Sequence, residues 1–324
     1  MNQQEALSRM MSPGMVRRGI WRGGVLQVLI TRACDLACTN CTQASHVGGK
    51  PMMMTAEQAE VAFESVKDAP WVIGIFGGSP SLNPQFDKIC EHMRRIIPAE
   101  QRGIWSNHPH GKGATMRATF NPFVSNLNVH LSQEAYDEFC RDWPECKPVL
   151  KGLDQDSRHG PPWVAMKDLD VLPGGVENTE ENRWDLISSC DINRLWSSLI
   201  GVWRGELRAW FCEIAAAQAM LHENDPGYPD TGVAVVPGWW KQGMDAFAHQ
   251  AAKHCHECGI PLRGFGDLAM GGTNEQVSPS HAGVYKLKRR DKTLELVTRL
   301  EQLGESRLPR STDYIQNGSL PIIQ

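Results

Sequence analysis

Two periodicities alternate along the first half of the chain. Val25-Leu-Gln-Val-Leu-Ile30 is a short apolar run of the length expected for a strand buried on both faces. Thr55-Ala-Glu-Gln58 forms a capping box, in which the threonine hydroxyl and the glutamine amide satisfy backbone N–H groups at a helix start. An amphipathic pattern then runs to about Lys67. Trp71-Val-Ile-Gly-Ile-Phe76 repeats the buried-strand pattern, and Phe86, Ile89, Met93 and Ile97 recur at helical spacing within 84–97. Arg102 to Asn107 reads as a third strand ending in polar residues, Phe123 to Leu131 as a fourth, and Trp163 to Met166 as a further one. Strands alternating with helices predict an α/β fold on a parallel sheet. The segments 152–162 and 173–181, rich in Gly, Asp and Pro, read as loops.

From about Leu186 the character changes. Leu195 to Trp203 reads as an apolar helix, and 203–212 as a hairpin turning at Arg204-Gly-Glu206. Glu213 to Leu221 is an Ala-rich helix, Ala246 to His254 another, and Leu294, Val297, Leu300 and Leu303 suggest an amphipathic helix near the end. No internal repeat or low-complexity tract interrupts the order.

Composition narrows the class. Of 324 residues 41% are hydrophobic and 22% charged, which suits a packed core. No apolar run reaches the length of a membrane span, and Met1 to Arg18 lacks a signal-peptide core, so a cytoplasmic protein is expected. The net charge of −4 disfavours nucleic acid as a partner, and the basic run Lys286-Leu-Lys-Arg-Arg290 reads as a solvated face.

Ten cysteines without a secretion signal point to metal or catalysis rather than disulfides. Cys34, Cys38 and Cys41 form C-x-x-x-C-x-x-C, and Cys255 and Cys258 form C-x-x-C. Three thiolates leave one position of an iron cluster open to a small chelating molecule, whereas four saturate it. A zinc site completed by a residue such as His46 is the alternative use of the triplet. Ligand groups in parallel α/β folds gather at the carboxyl ends of strands, which nominates Ser106, Asn107, Asn128, His130 and Lys167.

The order strand, three-cysteine loop, helix, strand, Gly77-Gly78-Ser79-Pro80 resembles the radical SAM enzymes, which place C-x-x-x-C-x-x-C after the first strand and G-G-E-P after the second. Two departures stand out: Asn40 replaces the usual aromatic residue before the third cysteine, and Ser79 replaces the glutamate of the turn. The resemblance implies a partial (β/α)6 barrel of TIM type, carrying a [4Fe–4S] cluster on Cys34, Cys38 and Cys41. It also implies S-adenosylmethionine (SAM) held by Gly77, Gly78, Ser79 and Pro80 with Ser106, Asn107 and Asn128. The turn is expected to hold the SAM amino group, largely through backbone carbonyls; Ser79 brings a hydroxyl but no charge.

Cys190, Cys212, Cys255 and Cys258 resemble the ligand set of a Twitch-type (shortened SPASM) extension with one auxiliary [4Fe–4S] cluster; structural zinc on the same thiolates is the alternative. His254 and His256 flank the pair and read as solvated helix-end residues. The expected division is a lead segment 1–24, a radical SAM barrel 25–186, an auxiliary-cluster domain 187–270 and a tail 271–324. The implied chemistry is reductive cleavage of SAM to a 5′-deoxyadenosyl radical, driven by an external one-electron reductant of flavodoxin or ferredoxin type, followed by hydrogen-atom abstraction from substrate. An auxiliary cluster would then accept an electron, giving a dehydrogenase. Alternatively a thiol would return a hydrogen atom, giving an epimerase. Cys140 and Cys146 are the candidate donors, with His130 as a further catalytic candidate, while Cys90 reads as core. With 33 residues before Cys34, too few for a leader-peptide recognition domain, the expected substrate is a small polar metabolite: a sugar, aminoglycoside-like or nucleoside compound. Ribosomal-peptide maturation, a zinc-stabilised binding protein and an iron–sulfur electron carrier are the competing functions.

Overall fold

The computed structural model describes residues 1–14, 25–151, 160–190, 192–193, 198–262, 264–265, 274–287 and 293–304. In chain order its elements are α1 (Gln3–Arg9), β1 (Val25–Thr31), α2 (Ala56–Val66), β2 (Val72–Gly77), α3 (Phe86–Ile96), β3 (Arg102–Ser106) and α4 (Gly113–Thr119). There follow β4 (Asn126–His130), α5 (Gln133–Asp142), β5 (Val149–Lys151), β6 (Val171–Leu172), β7 (Val176–Glu177) and α6 (Glu180–Ile187). The remainder is β8 (Leu199–Trp203), β9 (Glu206–Trp210), α7 (Glu213–Leu221), β10 (Val233–Ala234), α8 (Ala248–His254), β11 (Asn274–Val277), α9 (Pro279–Ala282) and β12 (Thr293–Leu296).

One sheet organises the molecule, in the order β10-β9-β8-β1-β2-β3-β4-β5. Strands β1 to β5 pair in sequence, all parallel, so their carboxyl ends lie on one side. Every residue of β1 is buried, as its unbroken apolar run predicts for a strand covered on both faces. Helix α2 starts at the expected capping box, with Thr55 accepting from the Gln58 N–H and Gln58 accepting from the Thr55 N–H. It packs beside α3, which buries Phe86, Ile89, Cys90 and Met93, so Cys90 is a core residue.

The sheet departs from a sequential six-strand array. The sixth parallel partner is β8, which pairs with β1 at the opposite edge from β5, with β9 and β10 antiparallel beyond it. The hairpin from the expected auxiliary segment thus extends the main sheet across residue 186. Its helix α7 is buried from Glu213 through Met220; four alanines let its backbone lie close to β8 and β9.

Several local expectations are corrected. Residues 163–165 form a turn and 166–168 a single 3₁₀ turn, where Trp163 is buried with Tyr285 and His281 instead of pairing in the sheet. Leu199–Trp203 is a strand: a five-residue apolar run has no decisive period, and β1 offers it a partner edge; 195–197 lie outside the described residues. Leu294 lies in β12, paired parallel with β11, and Leu300 and Leu303 in a 3₁₀ turn. Of the basic run, Lys288, Arg289 and Arg290 lie outside the described residues. None of the described helices is long and apolar enough to cross a membrane.

Candidate active site

The loop after β1 and the turn after β2 meet through backbone chemistry. The Gly78 N–H donates to the Thr31 carbonyl (3.1 Å) and the Ser79 N–H to the Ala33 carbonyl (2.7 Å). A Cβ on Gly77 or Gly78 would stand 2.3 Å from those same carbonyl oxygens, so both positions require glycine. Asn40 takes φ +58°, a left-handed conformation that asparagine tolerates better than an aromatic residue would.

Cys34, Cys38 and Cys41 line one cavity of about 260 Å³ together with Gly77, Gly78, Trp105, Ser106, Asn107, Asn126, Asn128, His130 and Lys151. Strand alternation explains the floor: Leu127 and Val129 enter the core, while Asn126, Asn128 and His130 share the other face of β4. Lys151 is the register partner of His130. Burial, with the charge of Lys151, lowers the His130 imidazole to about 4, so the ring is neutral near pH 7. Asn126, Trp105 and Lys151 were absent from the sequence-based candidates. Strand alternation from Asn128 would have found Asn126, whereas Lys151 is brought in by β4–β5 pairing.

Ser79 and Pro80 are buried and do not line this cavity. The Ser79 hydroxyl lies 2.6 Å from Asp35 Oδ1, 2.8 Å from the Asn107 side-chain amide and 3.6 Å from Cys34 Sγ. The Asn107 Nδ2 also donates to Asp35 (3.3 Å), and His110 Nε2 lies 3.5 Å from Asp35 Oδ2. Burial opposes the Asp35 charge, but donors from Ser79, its own backbone and Asn107, together with His110, outweigh it and hold the carboxyl below its usual value. Ligand atoms of Asp35, His108 and His110 all lie within 4.8 Å of one another.

Behind the loop, buried charges are matched. Arg32 donates to the carbonyls of Gln43 and Ala44, and the Trp163 indole N–H to that of Cys41 (2.8 Å). His46 Nε2 lies 2.9 Å from Glu275 Oε1, and the Tyr285 hydroxyl donates to Glu275 Oε2 at 3.2 Å. Burial pushes the Cys41 thiol up, but the hydrogen bond and charge of His46 outweigh it and bring it below the ordinary range. Burial pushes Cys34 up to about 11.

The remaining ligand candidates also converge. Cys190, Cys212, Cys255 and Cys258 line a second, apolar pocket with Met10, Ile187, Phe211, Ile214 and Ile260. Burial first, and the neighbouring thiols next, raise Cys212 and Cys255 far above the usual thiol range; Cys258 is raised in the same way. Four sulfurs in an apolar pocket cannot all ionise without a cationic partner, and a metal centre supplies one. The donor set therefore fits a metal cluster, as do the three cysteines of the first cavity.

His254 is a correction. It is buried, with Nδ1 3.0 Å from Gln218 Oε1 and Nε2 2.9 Å from the Thr231 hydroxyl, so both nitrogens are engaged inside the protein. His256 accepts from Arg183 Nε (3.1 Å) and packs edge-on against Trp184. Cys140 is exposed on α5, Cys146 is buried with its sulfur toward the Phe139 carbonyl, and neither lines the cavity. Lys167 pairs with Glu257 at 2.8 Å, also outside it.

Residues 28–143 match the sequence profile of the Radical SAM superfamily, covering the end of β1, the three-cysteine loop, the glycine turn and strands β2 to β4. Among solved structures the chain is similar to the crystal structure of BtrN in complex with AdoMet and 2-DOIA. The identity is 14%, over 73% of this chain and 92% of that one, with a TM-score of 0.40. No curated protein matches the sequence.

Proposed function

We propose that this protein is a radical SAM enzyme that takes a hydrogen atom from a small polar metabolite of sugar, aminoglycoside or nucleoside type. One observation carries the reading: the three loop cysteines, the two turn glycines and the polar residues at the ends of β3 and β4 line a single cavity. Cys34, Cys38 and Cys41 would hold a [4Fe–4S] cluster. Gly77 and Gly78, which line the cavity, would contact SAM, with Ser106, Asn107 and Asn128 as polar contacts. When bound, the cluster and SAM together supply the electron and the adenosyl radical that attacks substrate. Asn126, neutral His130 and Lys151 offer further donors and acceptors in the same cavity, which suits a hydroxyl-rich substrate.

Cys190, Cys212, Cys255 and Cys258 would hold an auxiliary cluster able to accept an electron from substrate. The positions of Cys140 and Cys146 away from the cavity favour dehydrogenation over thiol-mediated epimerisation. Catalysis would need an external low-potential donor of flavodoxin or ferredoxin type, since such clusters reach roughly −400 mV.

Anaerobic reconstitution tests the reading. Near eight irons and eight sulfides per chain, with release of 5′-deoxyadenosine from SAM under strong reductant, is the expected result for two such clusters. Stoichiometric zinc without sulfide would refute it. The zinc alternative has one supporting observation: His46 stands beside Cys41 with Glu275 behind it, the carboxylate–histidine arrangement common at zinc sites. Deuterium transfer from candidate metabolites or peptides into 5′-deoxyadenosine would identify the substrate.

A further inference from the structure

We propose that Asp35 supplies the carboxylate that recognises the α-ammonium group of SAM, in place of the acid that Ser79 leaves out of the glycine turn. The inference rests on the radical SAM reading and adds a binding residue to it.

SAM carries an ammonium and a sulfonium against one carboxylate, so a cavity that receives it must offset net positive charge. Ser79 contributes none, and Lys151 adds a cation to the lining. The carboxylate at the glycine turn comes instead from the cysteine loop. Asp35 Oδ1 sits 2.6 Å from the Ser79 hydroxyl, on the side chain that occupies the family's glutamate position. Three elements fix it: Ser79 after β2, Asn107 after β3, and His110 in the following loop. Its side chain keeps 37% of its surface exposed; Asp35 is not itself among the residues that line the cavity, but its chain neighbours Cys34 and Leu36 and its partner Asn107 are, so it borders the cavity through them. The same Ser79 hydroxyl lies 3.6 Å from Cys34 Sγ, so the carboxylate is held close to one of the three loop thiols. Glu213 also reaches a lining residue, Thr42, but it is buried and engaged by Gln27.

A divalent cation on Asp35, His108 and His110 is the rival use of this carboxylate. The backbone N–H of His110 donates to His108 Nδ1 (3.0 Å), which already engages one of the two ring nitrogens that a metal could use.

The test uses the cluster-reconstituted full chain and reads binding rather than turnover: calorimetric titration with SAM and with its desamino analogue, plus the change in the reduced cluster's EPR signal on adding each. Asp35→Asn should weaken SAM by roughly ten- to a hundredfold, the loss of one charge-assisted hydrogen bond, and leave the desamino analogue within about twofold. Ser79→Glu in the Asp35→Asn background should restore SAM affinity. Equal weakening of both ligands, an unchanged SAM affinity, or failure of the Ser79→Glu rescue with iron content intact would overturn the proposal. So would a stoichiometric metal other than iron that is lost in Asp35→Asn. If the wild-type protein binds clusters but not SAM, the radical SAM reading itself fails, which is a distinguishable outcome.

Discussion

Glu213 offers a quantitative test of how the four-cysteine segment is anchored to the sheet. Its carboxyl is buried next to Cys212, accepts from Gln27 Nε2 of β1 at 2.7 Å and from Thr42, and is raised by burial from 4.5 to about 7. The Gln27 Oε1 is buried and has no hydrogen-bond partner among the described residues, so a protonated Glu213 has an acceptor within its network for its O–H. A carboxyl raised on folding binds more protons in the native state than in the unfolded one between about pH 4.5 and 7. Stability therefore falls as pH rises through that window, and the full penalty is present above it. A shift of this size corresponds to about 3 kcal/mol at pH 8, an upper figure because a buried carboxylate draws in water and relaxes. Glu213→Gln keeps the acceptor for Gln27, adds a donor and removes the titration. We expect the variant to melt higher than wild type by roughly 5 °C at pH 8, with the gap closing toward pH 5. Anaerobic thermal melts followed by circular dichroism across pH 5.5 to 8 would measure it, with iron content checked at each pH. Parallel pH profiles for the two proteins, or a less stable variant at pH 8, would refute the argument.

Other consequences follow from single contacts. A Cβ on Gly74 would stand 2.2 Å from the ring of Trp105, a residue that lines the first cavity, so Gly74→Ala should cost about 1–3 kcal/mol and displace the indole; lower melting with weaker SAM binding checks it. Thr55→Ala removes one half of the capping box and should cost about 1 kcal/mol, read by denaturant unfolding, without altering cluster content. If Cys190, Cys212, Cys255 and Cys258 hold the proposed auxiliary cluster, Cys255→Ala should remove it and spare the first, so iron would fall to roughly half with the SAM-responsive EPR signal retained. Cys140→Ser should leave SAM cleavage and product stereochemistry unchanged, because that thiol is exposed on α5; a loss of product would restore it as the hydrogen donor.

The local chemistry of this site is legible in the linear sequence because it depends on short spacing. A capping box needs Thr55 and Gln58 three residues apart, and an open cluster needs three cysteines within one loop. A turn pressed against the Thr31 and Ala33 carbonyls needs two adjacent glycines. Period and length identified β1, β2, α2, α3 and α7 for the same reason. What the sequence left open depends on partners distant in the chain. Leu199–Trp203 is a strand because the edge of β1 is available to it, a fact no five-residue apolar run encodes. His254 looks solvated at a helix end until Gln218 and Thr231, brought in by α7 and by the chain before β10, close over it. Asp35 looks like a loop acid until Ser79, Asn107 and His110 converge on it from two other strand ends. The sequence by itself determined which chemistries are present, since these reside in residue types at fixed intervals. Only the tertiary structure decided which of them share a cavity, because distances between strand ends are set by sheet pairing and not by separation along the chain.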